Sequence, residues 1–367
     1  MVLTVGVLGA GQLGRMLALA GYPLGIRCVF VDPSPDSTAG EIAPLIVADY
    51  DDPGIAERLG DVDLVTYEFE SVPEAAALKL MESGKTVLPH PRALRVAQDR
   101  WLEKMCFREV GIPTARFAKI DGPPDWEAAV AEVGLPCVFK TRRHGYDGRG
   151  QQVVERPEQC AAAFSELGKV PLIAEQFVSF ARELSIIAVR GTQGEPRFYP
   201  VCENVHSAGM LQQSLCPANG SSEKLQEQAE RHARALLAHL DYTGVMALEM
   251  FEVGGELYGN EIAPRVHNSG HLTIEAALTS QFENHLRAII GLPLGCTEVP
   301  TFAAMLNIVG SLPDSARVLA VEDAHLHLYG KSPRAGRKLG HVTVRATTRA
   351  ELSKKLSELK TLVTADS

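Results

Sequence analysis

No two of the seven cysteines form a CxxC pair; Cys28, Cys106, Cys137, Cys160, Cys202, Cys216 and Cys296 are scattered and odd in number. That pattern excludes a zinc ribbon and argues against a disulfide frame, and it predicts reduced core thiols. No apolar run reaches membrane-spanning length, and the chain opens on a strand with no charged leader. A cytoplasmic protein without membrane contact is therefore expected. A basic surface is missing as well: 36 Lys and Arg stand against 45 Asp and Glu, a net charge of −9. Neutralising a nucleic acid needs the opposite balance, so nucleic acid is not an expected partner. Any anionic ligand must be held by local clusters of cations. There are no internal repeats and no low-complexity tracts. What remains is 367 residues, 46% hydrophobic and 22% charged, enough for two or three domains each with its own core.

The stretch around which the chain is organised is Lys140 to Gln151, KTRRHGYDGRGQ. The apolar run Cys137-Val138-Phe139 reads as a strand entering a loop that holds Gly145, Gly148 and Gly150. Glycine lets backbone N–H groups turn towards one point where an anion can sit. Lys140, Arg142, Arg143 and Arg149 supply the opposing charge, with Tyr146 and Asp147 between them. The spacing is not GxxxxGK[ST], and no helix signal follows at once, so this is not the usual P-loop. A solvated basic turn does not explain a lysine at the end of a buried strand. A flap closing over nucleotide phosphates does.

Residues 2–8 form an apolar run, followed by Gly9-Ala10-Gly11-Gln12-Leu13-Gly14, a helical pattern over 15–20, and a second strand over 26–31 ending at Asp32. GxGxxG between strand and helix with an acid near twenty residues on is the pattern of a dinucleotide-binding unit. The motif itself requires only a close backbone approach at a helix N-terminus, which a phosphate or sugar of another nucleotide would equally need. With further strands at 45–48, 62–66 and 86–88, residues 1–98 read as an open parallel α/β sheet. A helical run over 97–110 follows. Residues 99–176 then read as a linker helix and a small unit carrying the flap. Residues 177–367 read as a larger unit, an antiparallel sheet flanked by helices, with strands at 197–205 and 209–216 and a helix at 222–240.

Residues 245–253 and 257–263 pair as a hairpin around Gly254-Gly255. A two-residue turn sets Glu249 opposite Asn260; a three-residue loop with a bulge sets it opposite Glu261. Facing carboxylates repel and ask for a cation, and Mg²⁺ shared with substrate phosphates would suit them. The spacing leaves both registers open. Next comes APRVHNSGH, where Arg265, His267, Asn268, Ser269 and His271 crowd a strand-to-helix connection and suggest a second anion site. Near the end, Lys331, Arg334, Arg337 and Lys338 place four cations in eight residues, either a solvated hairpin tip or a phosphate clamp. His325 and His327 lack cysteine or carboxylate partners at ligand spacing and carry no metal reading.

Together these segments resemble the ATP-grasp ligases, and within them the branch of purine synthesis that carboxylates 5-aminoimidazole ribonucleotide. The resemblance is nearly whole-chain: GVLGAGQLGRM at 6–16, QDR at 98–100, the flap, AEQFV at 174–178, ARELS at 181–185, ENVH at 203–206, NEIAPRVHNSGH at 260–271, TSQFENHLRAIIGLPLG at 279–295 and YGK with GRKLGH over 329–341. It implies an ATP-grasp fold preceded by a Rossmann-like pre-ATP-grasp domain, mixed α/β and α+β. It also implies a cytoplasmic homodimer that uses ATP, Mg²⁺ and bicarbonate to make N5-carboxyaminoimidazole ribonucleotide through carboxyphosphate. Arg100 and Lys140 would contact ATP phosphates, and Gly145, Tyr146, Asp147, Gly148, Arg149, Gly150 and Gln151 would cover them. Glu175, Gln176, Phe177 and Val178 would read adenine and Glu183 the ribose, with His206 and Asn260 finishing that pocket. Glu249 and Glu261 would hold Mg²⁺, Glu261 also facing the nucleotide. Arg265, His267 and Asn268 would position bicarbonate. Gln12, Leu13, Tyr146, Asp147, Arg149, Lys331, Arg337 and Lys338 would hold the ribotide, with Asp147, Arg149 and Lys331 nearest the chemistry.

The chain departs from the branch in carrying His144 where the flap commonly has glycine, and TYEFESVP at 66–73, which leaves Glu68 with an open role. Three other readings compete: a nicotinamide oxidoreductase resting on GAGQLG and Asp32, a sister ATP-grasp ligase using formate on a purine ribotide, and a nucleotide-binding regulator without turnover.

Overall fold

A computed structural model describes residues 3–145 and 148–364. Tyr146 and Asp147, both expected in the flap site, lie outside the described residues. Among the described residues, three sheets carry the fold. The first is parallel, in the order 45–47, 26–32, 3–8, 64–67. Its central strands are covered on both faces, so they read as continuous apolar runs rather than alternating ones. The strand expected at 86–88 is reduced to one bridge, Val65 with Val87, as Pro89 has no amide to continue a ladder.

The second sheet is antiparallel, ordered 117–120, 172–176, 137–141, 151–154. Lys140 pairs with Gln151, so the glycine stretch is the loop of a hairpin. The third sheet has nine strands: 256–263, 244–253, 182–190, 202–207, 210–216, 302–310, 334–346 and 324–328 in spatial order, with 196–198 added beside 182–190. The strand expected over 197–205 is thus two strands, divided around Tyr199 and Pro200.

The helical run expected over 97–110 is also two pieces, Arg92–Ala97 and Arg100–Glu109. Asp99 divides them by accepting the Trp101 N–H at 3.0 Å as an N-cap. The same carboxylate binds Arg142 Nη2 at 2.6 Å, which ties the start of the second helix to the start of the flap. Helix Glu223–His239 begins as expected, with Ser222 Oγ accepting the Leu225 N–H at 3.2 Å.

His285 locks the first sheet to the third. Its Nδ1 accepts the Val245 N–H at 3.1 Å, which leaves Nε2 to donate to Thr66 Oγ1 at 3.0 Å. Burial lowers its pKa from 6.5 to about 4. The unfolded chain therefore binds more protons below pH 6.5, and stability falls as pH drops from there towards 4. The lost stability amounts to about 3 kcal/mol for this one ring. Urea midpoints at pH 7 and 5 should show about 2 kcal/mol of that loss, since pH 5 is still above the folded pKa, and His285→Gln should shrink the difference; an unchanged difference would assign it elsewhere.

Candidate active site

The glycine turn Gly9–Gly14 enters helix Gln12–Gly21, and its anion-binding N–H groups are already taken. Gly11 and Gly14 each donate to the Glu68 carboxylate at 2.9 Å, and Ala10 donates to Asp32 at 2.9 Å. A Cβ on Gly11 would stand 2.8 Å from Glu68 Oε1, so glycine is required by that approach. Burial pushes the Glu68 pKa up, although both glycine amides pull against it. A pyrophosphate at this helix terminus would meet a carboxylate where it needs donors, which removes the dinucleotide reading.

Beside that turn lies a cleft of about 250 Å³ whose walls include Gly11, Asp32, Tyr50, Glu68, Lys331 and Arg337. Lys331 donates to Gln12 Oε1 at 2.5 Å across the junction between the first sheet and the C-terminal hairpin. Sequence positions 319 apart are thereby brought to one wall. Lys338 lies on the adjoining strand Arg334–Ala346. The Leu13 side chain is buried in the core, so only its backbone can serve a ligand there.

A second group of polar side chains gathers where the flap, the strand Leu172–Gln176 and the hairpin of the nine-stranded sheet meet. Glu175 is buried between Lys140 Nζ at 3.0 Å and Lys104 Nζ at 3.6 Å. Burial alone would raise its pKa, but Lys104, Lys140 and Arg100 overcome that and hold it at about 2. The Lys140 pKa is lowered, first by burial, while Glu175 opposes the shift. Arg100 joins the flap to the hairpin: Nη2 donates to the Gly145 carbonyl at 3.2 Å and Nη1 lies 3.5 Å from Glu261 Oε2.

Glu249 and Glu261 are register partners, yet not by either expected route. The turn is the two-residue Gly254-Gly255, with Val253 opposite Glu256, and a bulge further along the ladder leaves Asn260 unpaired. The opposition expected from a longer loop is thus produced inside the strand. Burial would raise the Glu249 pKa, but His267, whose Nε2 is 3.1 Å away, brings it below the usual carboxylate range. Facing carboxylates whose charge is met by His267 and Arg100 fit a hard divalent cation shared with phosphate oxygens. Among the described residues a group of three acids also lies close together, Glu322, Asp323 and Glu351. There the Lys355 ammonium already stands 3.6, 3.1 and 2.9 Å from them.

The APRVHNSGH segment follows directly. Arg265 is paired through Nε with Glu70, and His267 Nδ1 meets Ser269 Oγ at 2.9 Å. Asn268 exchanges two amide hydrogen bonds with Asn307, at 3.0 and 2.7 Å, which fixes its side chain. Glu183 pairs with His206; burial lowers the imidazole pKa, but Glu183 and then Glu249 and Glu261 leave it raised. Gln176 Oε1 accepts from Arg116 Nε at 3.2 Å, and Phe177 is half exposed next to it.

In the flap, a Cβ on Gly148 would stand 2.9 Å from the Gly209 Cα, so the loop rests on the turn of the hairpin 202–216. Gly148 has φ +75°, and His144 is left-handed as well at φ +63°, a conformation that costs a non-glycine residue about 1–2 kcal/mol. Residues 148–151 close the hairpin, with the Thr141 N–H donating to the Gly150 carbonyl at 2.8 Å.

Lys104, Glu103, Asp99 and Glu70 were not expected at the site. The i, i+4 spacing of Arg100 and Lys104 on one helix face was a usable signal for Lys104. Nothing local marks Glu70, whose partner Arg265 is 195 positions away.

Comparison with known proteins matches nearly the whole chain. Residues 2–98 match the ribonucleotide synthetase preATP-grasp domain, 105–282 the ATP-grasp domain, and 303–355 the phosphoribosylaminoimidazole carboxylase C-terminal domain. The chain is 51% identical over 362 residues to the N5-carboxyaminoimidazole ribonucleotide synthase of Pseudomonas aeruginosa, covering 98% of this chain and 99% of that one. The N5-carboxyaminoimidazole ribonucleotide synthetase of Thermus thermophilus superposes with a TM-score of 0.94 at 52% identity, covering 98% of each chain. The Aspergillus clavatus synthase in complex with ADP and 5-aminoimidazole ribonucleotide superposes with a TM-score of 0.90 at 32% identity, again over 98% of each.

Proposed function

The chain belongs to the N5-carboxyaminoimidazole ribonucleotide synthase family of ATP-grasp ligases, and from that premise we propose how its residues divide the work. The overall reaction is the ATP-dependent carboxylation of 5-aminoimidazole ribonucleotide in purine biosynthesis. The observation that carries the division is the Arg100 guanidinium, which touches the flap at Gly145 and the acidic pair at Glu261. A triphosphate between flap and pair is therefore within reach of Arg100 and Lys140 together.

Adenine lies along 175–178 and its ribose by Glu183 and His206. Glu249 and Glu261 would hold Mg²⁺ with the nucleotide phosphates, and the ion would spread the charge of the transferring phosphoryl group. Arg265, His267 and Asn268 orient bicarbonate, whose own charge and poor leaving group make it a weak electrophile. Its phosphorylation by ATP gives carboxyphosphate and ADP. That intermediate is lost to water, so the flap, through Gly148, Arg149, Gly150 and Gln151, closes before the amine arrives. The ribotide enters from the cleft beside the glycine turn, its phosphate on Lys331, Arg337 and Lys338 and its base towards Gln12 and the Leu13 backbone. The exocyclic amine then takes the carboxyl carbon, forming the C–N bond as phosphate leaves and a proton departs. Asp147 and Tyr146 are assigned to that amine by their place in the flap sequence. We place the enzyme in the cytoplasm as a homodimer, by family membership.

ADP release should require ribotide and bicarbonate together, and formate should not replace bicarbonate. Release with formate would move the protein to the sister ligases; cofactor-dependent oxidation without ADP would overturn the reading.

A further inference from the structure

The bulge that makes Glu249 and Glu261 face one another is not a property of the hairpin alone. A hairpin with a Gly-Gly turn would run on in simple register, placing Glu249 opposite Asn260 and turning Glu261 to the other face. Something outside the two strands must select the bulged register. The helix Arg100–Glu109 packs across this edge strand, and three of its side chains at i, i+3 and i+4 project from one face.

Each grips a different part of the stretch Gly259–Ile262. Lys104 Nζ donates to the Asn260 carbonyl at 2.7 Å and to the Gly259 carbonyl at 3.3 Å. Glu103 Oε1 accepts the Ile262 N–H at 2.7 Å. Arg100 meets the Glu261 carboxylate itself. Lys104 and Glu103 are each 2% exposed, so these contacts are made away from water. The approach is close: a Cβ on Gly259 would stand 3.0 Å from Ile112 Cγ2 and 3.1 Å from Phe107 Cδ2. The Gly259 N–H is also taken, donating to the Pro113 carbonyl at 2.7 Å.

We infer that Lys104 and Glu103 are positioning residues that fix the Asn260 bulge and so hold the Glu249–Glu261 pair in its facing register; this rests on the reading of that pair as the metal site. This strand is the edge of its sheet, so the Gly259 and Asn260 carbonyls and the Ile262 N–H have no ladder partner on that side, and burying them unpaired is costly. Lys104 supplies donors to those carbonyls, and Glu103 supplies the acceptor for the amide. In the unbulged register the Lys104 ammonium and the Glu103 carboxyl would be left buried without these partners, which disfavours the alternative. Lys104 also lies 3.6 Å from Glu175, so the clamp and the strand that carries the adenine site share one buried ammonium.

Three measurements test this on the full chain. Amide hydrogen exchange reads the clamp without any metal: Lys104→Met should speed exchange at Ile262, whereas Glu103→Gln, which keeps the carbonyl acceptor, should not. Mn²⁺ affinity, followed by electron paramagnetic resonance with a non-hydrolysable ATP analogue, reads its consequence. Lys104→Met should weaken it about 10–100-fold, the range for losing a group that orients a metal ligand. Lys104→Arg, which keeps the cation and its donors, should recover most of that loss. Glu261→Gln serves as the metal control. If it leaves Mn²⁺ affinity intact, the metal reading fails while the exchange data still decide the clamp. If it abolishes Mn²⁺ binding while Lys104→Met changes neither exchange nor affinity, the clamp is wrong. Should Lys104→Met not fold, Lys104→Gln makes the same comparison, since its shorter side chain cannot span both carbonyls.

Discussion

Glu261→Gln is expected to reduce ADP release in the complete assay on the order of 100–1,000-fold, the scale on which removing one preorganised charge-stabilising group acts. Glutamine keeps the size and one oxygen donor but loses the charge that balances the cation. The effect should fall on kcat more than on the KM for bicarbonate, because the charge is needed most while the phosphoryl group moves. Arg100, 3.5 Å from this carboxylate, would lose its ion-pair partner and keep its contact with Gly145. The fold should survive, as the Glu261 side chain is 44% exposed and supports no core. Near-normal turnover at ordinary magnesium concentration would count against the facing pair as the metal site.

Lys331→Ala is expected to raise the KM for the ribotide by roughly 10–100-fold, the loss of one charge-assisted hydrogen bond, with little change in the KM for ATP. Lys331 lies in the cleft with Gly11, Asp32 and Arg337, and its link to the N-terminal unit is Gln12. Lys140 and Glu175, proposed to serve the nucleotide, belong to a different sheet. Burial lowers the Lys331 pKa, Glu68 opposes the shift, and the neighbouring Arg337 and Lys338 add to it, so an anion bound among these three cations would favour the charged lysine. Equal losses for ATP and ribotide would contradict a clamp confined to the second substrate.

Much of this site was legible because its parts are local. A glycine loop between two strands, a helix opening on Gln12, and a basic hairpin tip each announce themselves within a dozen residues. The facing of Glu249 and Glu261 was legible as one of two registers, but its cause was not. The bulge depends on a helix some 150 residues earlier, and the pair Lys104–Asn260 spans 156 positions. The dinucleotide pattern misleads for the same reason: the Glu68 carboxylate that fills the glycine amides is 57 positions from Gly11. The single helix expected over 97–110 divides because Asp99 serves both as a cap and as the partner of Arg142 in the flap. Local propensity cannot register a side chain that answers to another sheet.

A phosphorylated bicarbonate formed beneath the flap is the central step proposed for this enzyme. Bicarbonate labelled with oxygen-18, turned over with ATP and ribotide, tests it directly through the isotope content of the released phosphate. Phosphate carrying a single labelled oxygen per turnover is the expected result, since the bridging oxygen leaves with phosphorus when the amine takes the carbon. Unlabelled phosphate would mean that ATP is hydrolysed by water and that no such intermediate is made.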